Sequence, residues 1–149
     1  MISFLFKTIK PQNKPAAVIA FGLILLITAM IIITNVGYGD KFWPYMVNTP
    51  YADKVGHVGI FGTLSYFCNL AFSNRLSKRR FKIFTTTTFI ILVVVTLEEI
   101  SQAFIPSRTC DILDWTADLI GLALGQWLAH LTLKKASRSG NANPNSTSN

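Results

Sequence analysis

The run from Ala16 to Thr34, AAVIAFGLILLITAMIIIT, carries no charged residue. An α-helix of about 20 apolar residues spans the hydrocarbon core of a bilayer. In that solvent a segment must satisfy its own backbone N–H and C=O groups, which favours a helix. The rest of the chain agrees with a membrane setting: half of its residues are hydrophobic and only 14% are charged, low for a soluble domain. Its 149 residues support one domain. Lys7, Lys10 and Lys14 precede the run and give it the look of a secretory signal. The apolar stretch is too long for one, and Asn35-Val36-Gly37 is a poor small-residue cleavage site. A retained anchor is therefore expected, with the opening MISFLFKTIK as a short interfacial helix.

Three further apolar segments run from about Asp53 to Phe72, Phe81 to Phe104 and Asp111 to Leu133, each polar at one end. The expected fold is all-α: an integral membrane bundle of four transmembrane helices. Residues 1–15 form a cytoplasmic N-terminal segment and 16–133 the transmembrane domain. Residues 134–149 are a cytoplasmic tail, and the Ser/Asn/Gly-rich stretch from Ser137 lacks the apolar anchors that would order it. Of fourteen basic residues, eleven lie before the first segment, between the second and third, or after the fourth. The positive-inside rule makes that side, and both termini, cytoplasmic. All seven acids, Asp40, Asp53, Glu98, Glu99, Asp111, Asp114 and Asp118, then fall on the outer side. The net charge of +7 is thus a basic inner face near anionic lipid. A nucleic-acid partner is not expected, since no basic face interleaved with stacking aromatics is present. Cys68 and Cys110 fall near opposite membrane faces, too far apart for a disulfide, and lack metal-ligand spacing.

Five of the seven carboxylates lie between Glu98 and Asp118. Ionisable groups at membrane depth are expensive, and they usually face a protein interior where they act. Asp53 and His57 are four apart and stack on one helix face; Glu99 and Gln102, three apart, share another. Asp111, Asp114, Asp118, Gly121 and Gly125 fall within a stripe of roughly 80°. Its two glycines let a neighbouring backbone approach closely, so the aspartates above them would point into the bundle. Arg108 stands in the short turn between the two acidic ends, and its planar fork suits a carboxylate or a phosphate. Blander accounts exist for some of these groups: a helix N-terminus stabilises Asp111, and Glu98 reads as an interfacial acid touching water. The Thr85–Thr88 run fits hydroxyls bonded one turn back along the backbone. Trp43, Tyr45 and Tyr51 fit an outer interfacial belt.

The string EEISQAFIPSRTCDILDWTADLIGLALG resembles the signature of VanZ-like membrane proteins. Glu99 and Gln102 match a Glu-x-x-Gln element, Pro106-Ser107-Arg108 a Pro-Gly-Arg turn, Asp114 the following aspartate, and Gly121 and Gly125 the closing glycines. Upstream, DKVGHVGIF (Asp53, Lys54, His57, Phe61) is similar to the family's Asp-Lys-x-x-His element. Ser107 replaces the usual glycine, and Asp118 stands where the family normally has Asn. The resemblance covers about 53–128 and implies a small multi-pass protein of the bacterial cytoplasmic membrane. The family's namesake is associated with glycopeptide (teicoplanin) resistance.

Three roles follow. In the first, an enzyme or lipid-handling protein of the outer leaflet uses His57, Glu99 and Asp114 for general acid–base catalysis. Asp53, Gln102 and Arg108 then bind the substrate, and membrane lipids or a lipid-linked envelope precursor are the partners. In the second, the same cluster binds such a molecule without reacting. In the third it is structural and closes the outer end of the bundle. Gly121 and Gly125 serve helix packing in all three. No cofactor and no metal are expected, because no ligand spacing supports one.

Overall fold

The structure, a computed structural model, describes residues 11–45, 49, 51–72, 80–81, 84–105 and 111–141. Helix α1 spans Lys14–Asn35. Asn13 caps it by accepting a hydrogen bond from the Ala16 N–H at 3.1 Å, and Pro15 sits in the first turn, where its missing N–H costs nothing. Among the described helices, α1 alone is long and apolar enough by composition to cross a membrane. Only Ala16 and Ala20 of this helix are buried, while Val18, Phe21, Leu25 and Ile32 are exposed. A helix apolar all round suits the core of a larger assembly or a membrane span.

A short helix α2 (Gly39–Phe42) follows. Helix α3 (Ala52–Ala71) begins directly after Tyr51, a non-glycine residue in the left-handed region at φ 62°. Two short strands, β1 (Arg80–Phe81) and β2 (Phe84–Thr85), pair antiparallel with Arg80 opposite Thr85. Helices α4 (Thr86–Gln102) and α5 (Ile112–Asn141) complete the chain. The fold is all-α, with four long helices.

Helix α3 is the hub, packed most extensively against α5 and also against α1 and α4. The α3–α5 contact is close because both sides are small. A Cβ on Gly121 would stand 2.6 Å from the Val58 carbonyl oxygen, and one on Gly125 would collide with the carbonyl of Gly62 and the side chain of Ser65. Around this seam Phe61, Leu64, Cys68, Val95 and Leu122 form one apolar cluster, and Ala16, Leu70, Ala71 and Ala129 another.

At the end of the bundle near β2 the core is polar and closely bonded. The Thr85 hydroxyl donates to Asn69 Oδ1 at 2.7 Å and accepts from the Thr88 N–H, which makes it the cap of α4. Asn69 Nδ2 donates to Thr88 Oγ1 at 2.9 Å, the Thr85 N–H donates to Gln126 Oε1 at 2.8 Å, and Ser65 Oγ donates to the Leu122 carbonyl. The threonine run thus ties three helices together, where hydroxyls bonded one turn back along the backbone were expected.

Two boundaries differ from expectation. The third apolar segment was expected to be helical from Phe81, but Phe81 and Phe84–Thr85 are strands and the helix starts at Thr86, where the Thr85 hydroxyl offers a cap. The tail was expected to be disordered from Ser137, yet α5 runs on to Asn141. Arg138 in the last turn complements the negative end of the helix dipole, and no breaker precedes Gly140. The opening segment 1–10 and the tail 142–149 lie outside the described residues.

A polar site at one end of the helix bundle

Lys54, His57, Phe61, Leu64, Ser65 and Cys68 follow helical i, i+3, i+4 spacing on α3, and four of them are buried. That face meets the stripe of α5 that runs from Asp114 through Asp118 to Gly121 and Gly125. The glycine seam draws the two helices together, and the polar residues beyond it are held at contact distance.

The centre of the site is Lys54. Its ammonium lies 2.8 Å from Asp53, 2.7 Å from Asp111 and 2.6 Å from Asp114. Three carboxylates thereby converge on a group with three donors. Asp111 stands ahead of α5 and caps it, accepting from the Leu113 N–H at 2.9 Å. The hydrogen bond from Lys54 holds the Asp111 carboxyl below its usual pKa, helped by the bond from Leu113.

His57 is anchored on the other side. Its Nδ1 is 2.7 Å from Oδ1 of Asp118, a residue only 2% exposed, while the imidazole side chain keeps 26% of its surface open. Phe61, one turn on, lies tilted against the ring at 6.0 Å between centroids. Asp53, expected on the helix face of His57, turns to Lys54, and the partner of His57 comes from α5.

Helix α4 supplies the third wall. Glu99 is 4% exposed and accepts the Asp111 N–H at 2.7 Å, so it joins the end of α4 to the start of α5. Gln102 is buried and donates to Glu98, one turn back, at 2.9 Å. Trp115 Nε1 donates to Thr96 Oγ1 at 3.0 Å and makes a further α5–α4 tie. Asp53, His57, Glu99, Gln102 and Asp114 therefore gather at one end of the bundle. Arg108, with Pro106, Ser107 and Cys110, lies outside the described residues. Cys68 is a free, buried thiol in the apolar core.

Lys54 was not singled out for the site from sequence, and Asp118 was noted only as an unusual residue. The signal for Lys54 was its place on the same α3 stripe as His57. Among the described residues, no three His, Cys, Asp or Glu side chains form a group suited to a metal ion.

Exposed apolar side chains border the cluster: Tyr51 and Val55 on the α3 side, Leu97, Ile100 and Phe104 on or just after α4, and Ile112 and Leu113 on α5. These apolar side chains flank the polar residues along each helix. Such an arrangement suits a molecule with a polar head and an apolar body, and it can move protons through His57 and the surrounding carboxylates.

No curated protein and no solved structure matches the chain. The model of the family described as VanZ/LLP1 matches residues 2–133, which takes in all three walls of the polar site as well as the apolar helix α1. The apolar α1 and this match together point to a membrane protein. With so much of its length matched, the chain belongs to the VanZ/LLP1 family.

Proposed function

We propose that this protein crosses the bacterial cytoplasmic membrane four times with both termini inside, and performs acid–base chemistry on the headgroup of an outer-leaflet lipid or lipid-linked envelope precursor. The carrying observation is His57, part-exposed and held by a buried carboxylate, in a polar cluster bordered by exposed apolar side chains. His57 is the group that gives and takes the proton. Glu99 and Asp114 complete the acid–base set, and Asp53, Gln102 and Arg108 contact the headgroup. The basic residues that flank the apolar segments along the sequence support the orientation. A lipid-linked cell-wall precursor as substrate would connect the site to teicoplanin tolerance.

A second reading, in which the cluster is structural, has one specific observation behind it. Lys54 is claimed by three carboxylates and joins α3 to α5, which is how a clamp is built. The two readings divide the site: Lys54 clamps and His57 reacts.

His57→Gln, Asp114→Asn and Arg108→Lys, made singly, separate them. General acid–base groups contribute about 10²–10⁴-fold. His57→Gln, whose amide can still donate to buried Asp118, is therefore expected to fold while abolishing any protein-dependent change in the cell's lipid profile and teicoplanin susceptibility. If all three variants fold and leave both readouts at wild-type values, the catalytic reading is wrong. Loss of folded protein in Asp114→Asn, with His57→Gln neutral, would favour the clamp.

A further inference from the structure

We infer that Asp118 is a positioning residue that fixes the tautomer of His57, so that Nδ1 carries the structural proton and Nε2 is the nitrogen that exchanges protons with substrate. This rests on the proposed acid–base role of His57.

The geometry restricts the imidazole at two points. Asp118 Oδ1 stands 2.7 Å from Nδ1, and Phe61 packs against the ring face. In the inferred arrangement Asp118 is the carboxylate, which has no hydrogen to give, and the Nδ1–H donates to it across this contact. Among the described residues Nε2 has no hydrogen-bond partner, and a quarter of the side chain is open. Asp118 is almost fully buried on α5, and His57 Nδ1 is its hydrogen-bond partner. A buried carboxylate is costly unless paired, and this one spends its charge on a single ring nitrogen.

The surroundings keep that arrangement in place. Asp114 on α5 and Glu99 on α4 both act electrostatically on the ring, and Lys54, on the α3 stripe of His57, is saturated by its own carboxylates. When Nε2 accepts a proton from a substrate hydroxyl or from water, the ring becomes an imidazolium and Asp118 balances the new charge. The oxygen that gave the proton bonds to the electrophilic atom of the headgroup, the bond from that atom to the leaving oxygen breaks, and Nε2 returns the proton to that oxygen. No proton moves to Asp118 in either step.

The chain has two histidines, so His130→Gln leaves His57 as the only imidazole in the protein. With ¹⁵N-histidine label in lipid nanodiscs, the neutral ring should show a pyrrole-type signal at Nδ1 and a pyridine-type signal at Nε2. The bias is expected to be at least ~10-fold, as a hydrogen bond to a charged group supplies. Asp118→Asn, whose amide both donates and accepts, should bring the two tautomers to comparable populations, and Asp118→Glu should restore the bias in part.

A wild-type ring protonated at Nε2 overturns the inference without any variant, and so covers the case in which Asp118→Asn does not fold. An unchanged tautomer ratio in a folded Asp118→Asn protein also overturns it. Neither result touches the proposed function, because the spectrum is recorded without substrate. That function fails separately if His57→Gln keeps full activity, and Asp118 would then have no catalytic group to position.

Discussion

Lys54 balances three carboxylates at once, and removing its charge leaves Asp53, Asp111 and Asp114 facing one another. Breaking a fully buried pair costs about 3–5 kcal/mol; partial exposure of this cluster should reduce the loss for Lys54→Met to about 2 kcal/mol. Lys54→Arg, which keeps the charge, should lose less, and thermal unfolding in detergent measures both. The same cluster sets an acid limit. The folded-state pKa of Asp111 lies below its unfolded value, so its contribution is present above about pH 4 and is lost as pH falls through the folded value. Asp111→Asn should therefore show a shallower loss of stability between pH 5 and pH 3, a window set by the ordinary aspartate range. Glycine gives a third test at this scale. Gly125→Ala drives a methyl into the backbone of α3 and should cost about 1–3 kcal/mol or prevent folding. Gly22→Ala meets nothing within 4 Å and should be neutral or gain up to about 1 kcal/mol. Helical spacing put Asp114, Asp118, Gly121 and Gly125 on one face, and that is the face turned to α3. It did not find the partner of His57. Spacing sees neighbours within a helix, and Asp118 is 61 residues away on another.

Helix α4 is short for its apolar segment because its first residues are committed elsewhere. Thr85 is at once the cap of α4, a donor to Asn69 and, through its N–H, a donor to Gln126. Asn69→Leu would leave Thr85 and Thr88 without their buried partner and should cost about 1–3 kcal/mol, with hydrogen-exchange protection lost first at the start of α4. A like loss from Thr85→Ser would be unexpected, since the hydroxyl is kept. The existence and order of the four long helices were legible as apolar segments with polar ends. The strand pair was not, because two-residue strands carry no period. The extension of α5 was obscured by the composition of the tail, although its basic residues suit a helix C-terminus.

At the scale of the whole molecule, the two ends of the bundle differ in kind. One carries the acids, Lys54 and His57; the other carries the bonded Ser, Thr, Asn and Gln network. The described surface between them is rich in exposed apolar side chains, which lipid would cover. The account stands on the acidic end facing outward, since only there does His57 meet an outer-leaflet headgroup. Cysteine labelling decides it. In a background with Cys68→Ala and Cys110→Ser, a membrane-impermeant maleimide should modify Lys41→Cys in intact spheroplasts. It should reach Ser137→Cys only after permeabilisation. The reverse pattern would place His57 and its carboxylates on the cytoplasmic side and contradict the account.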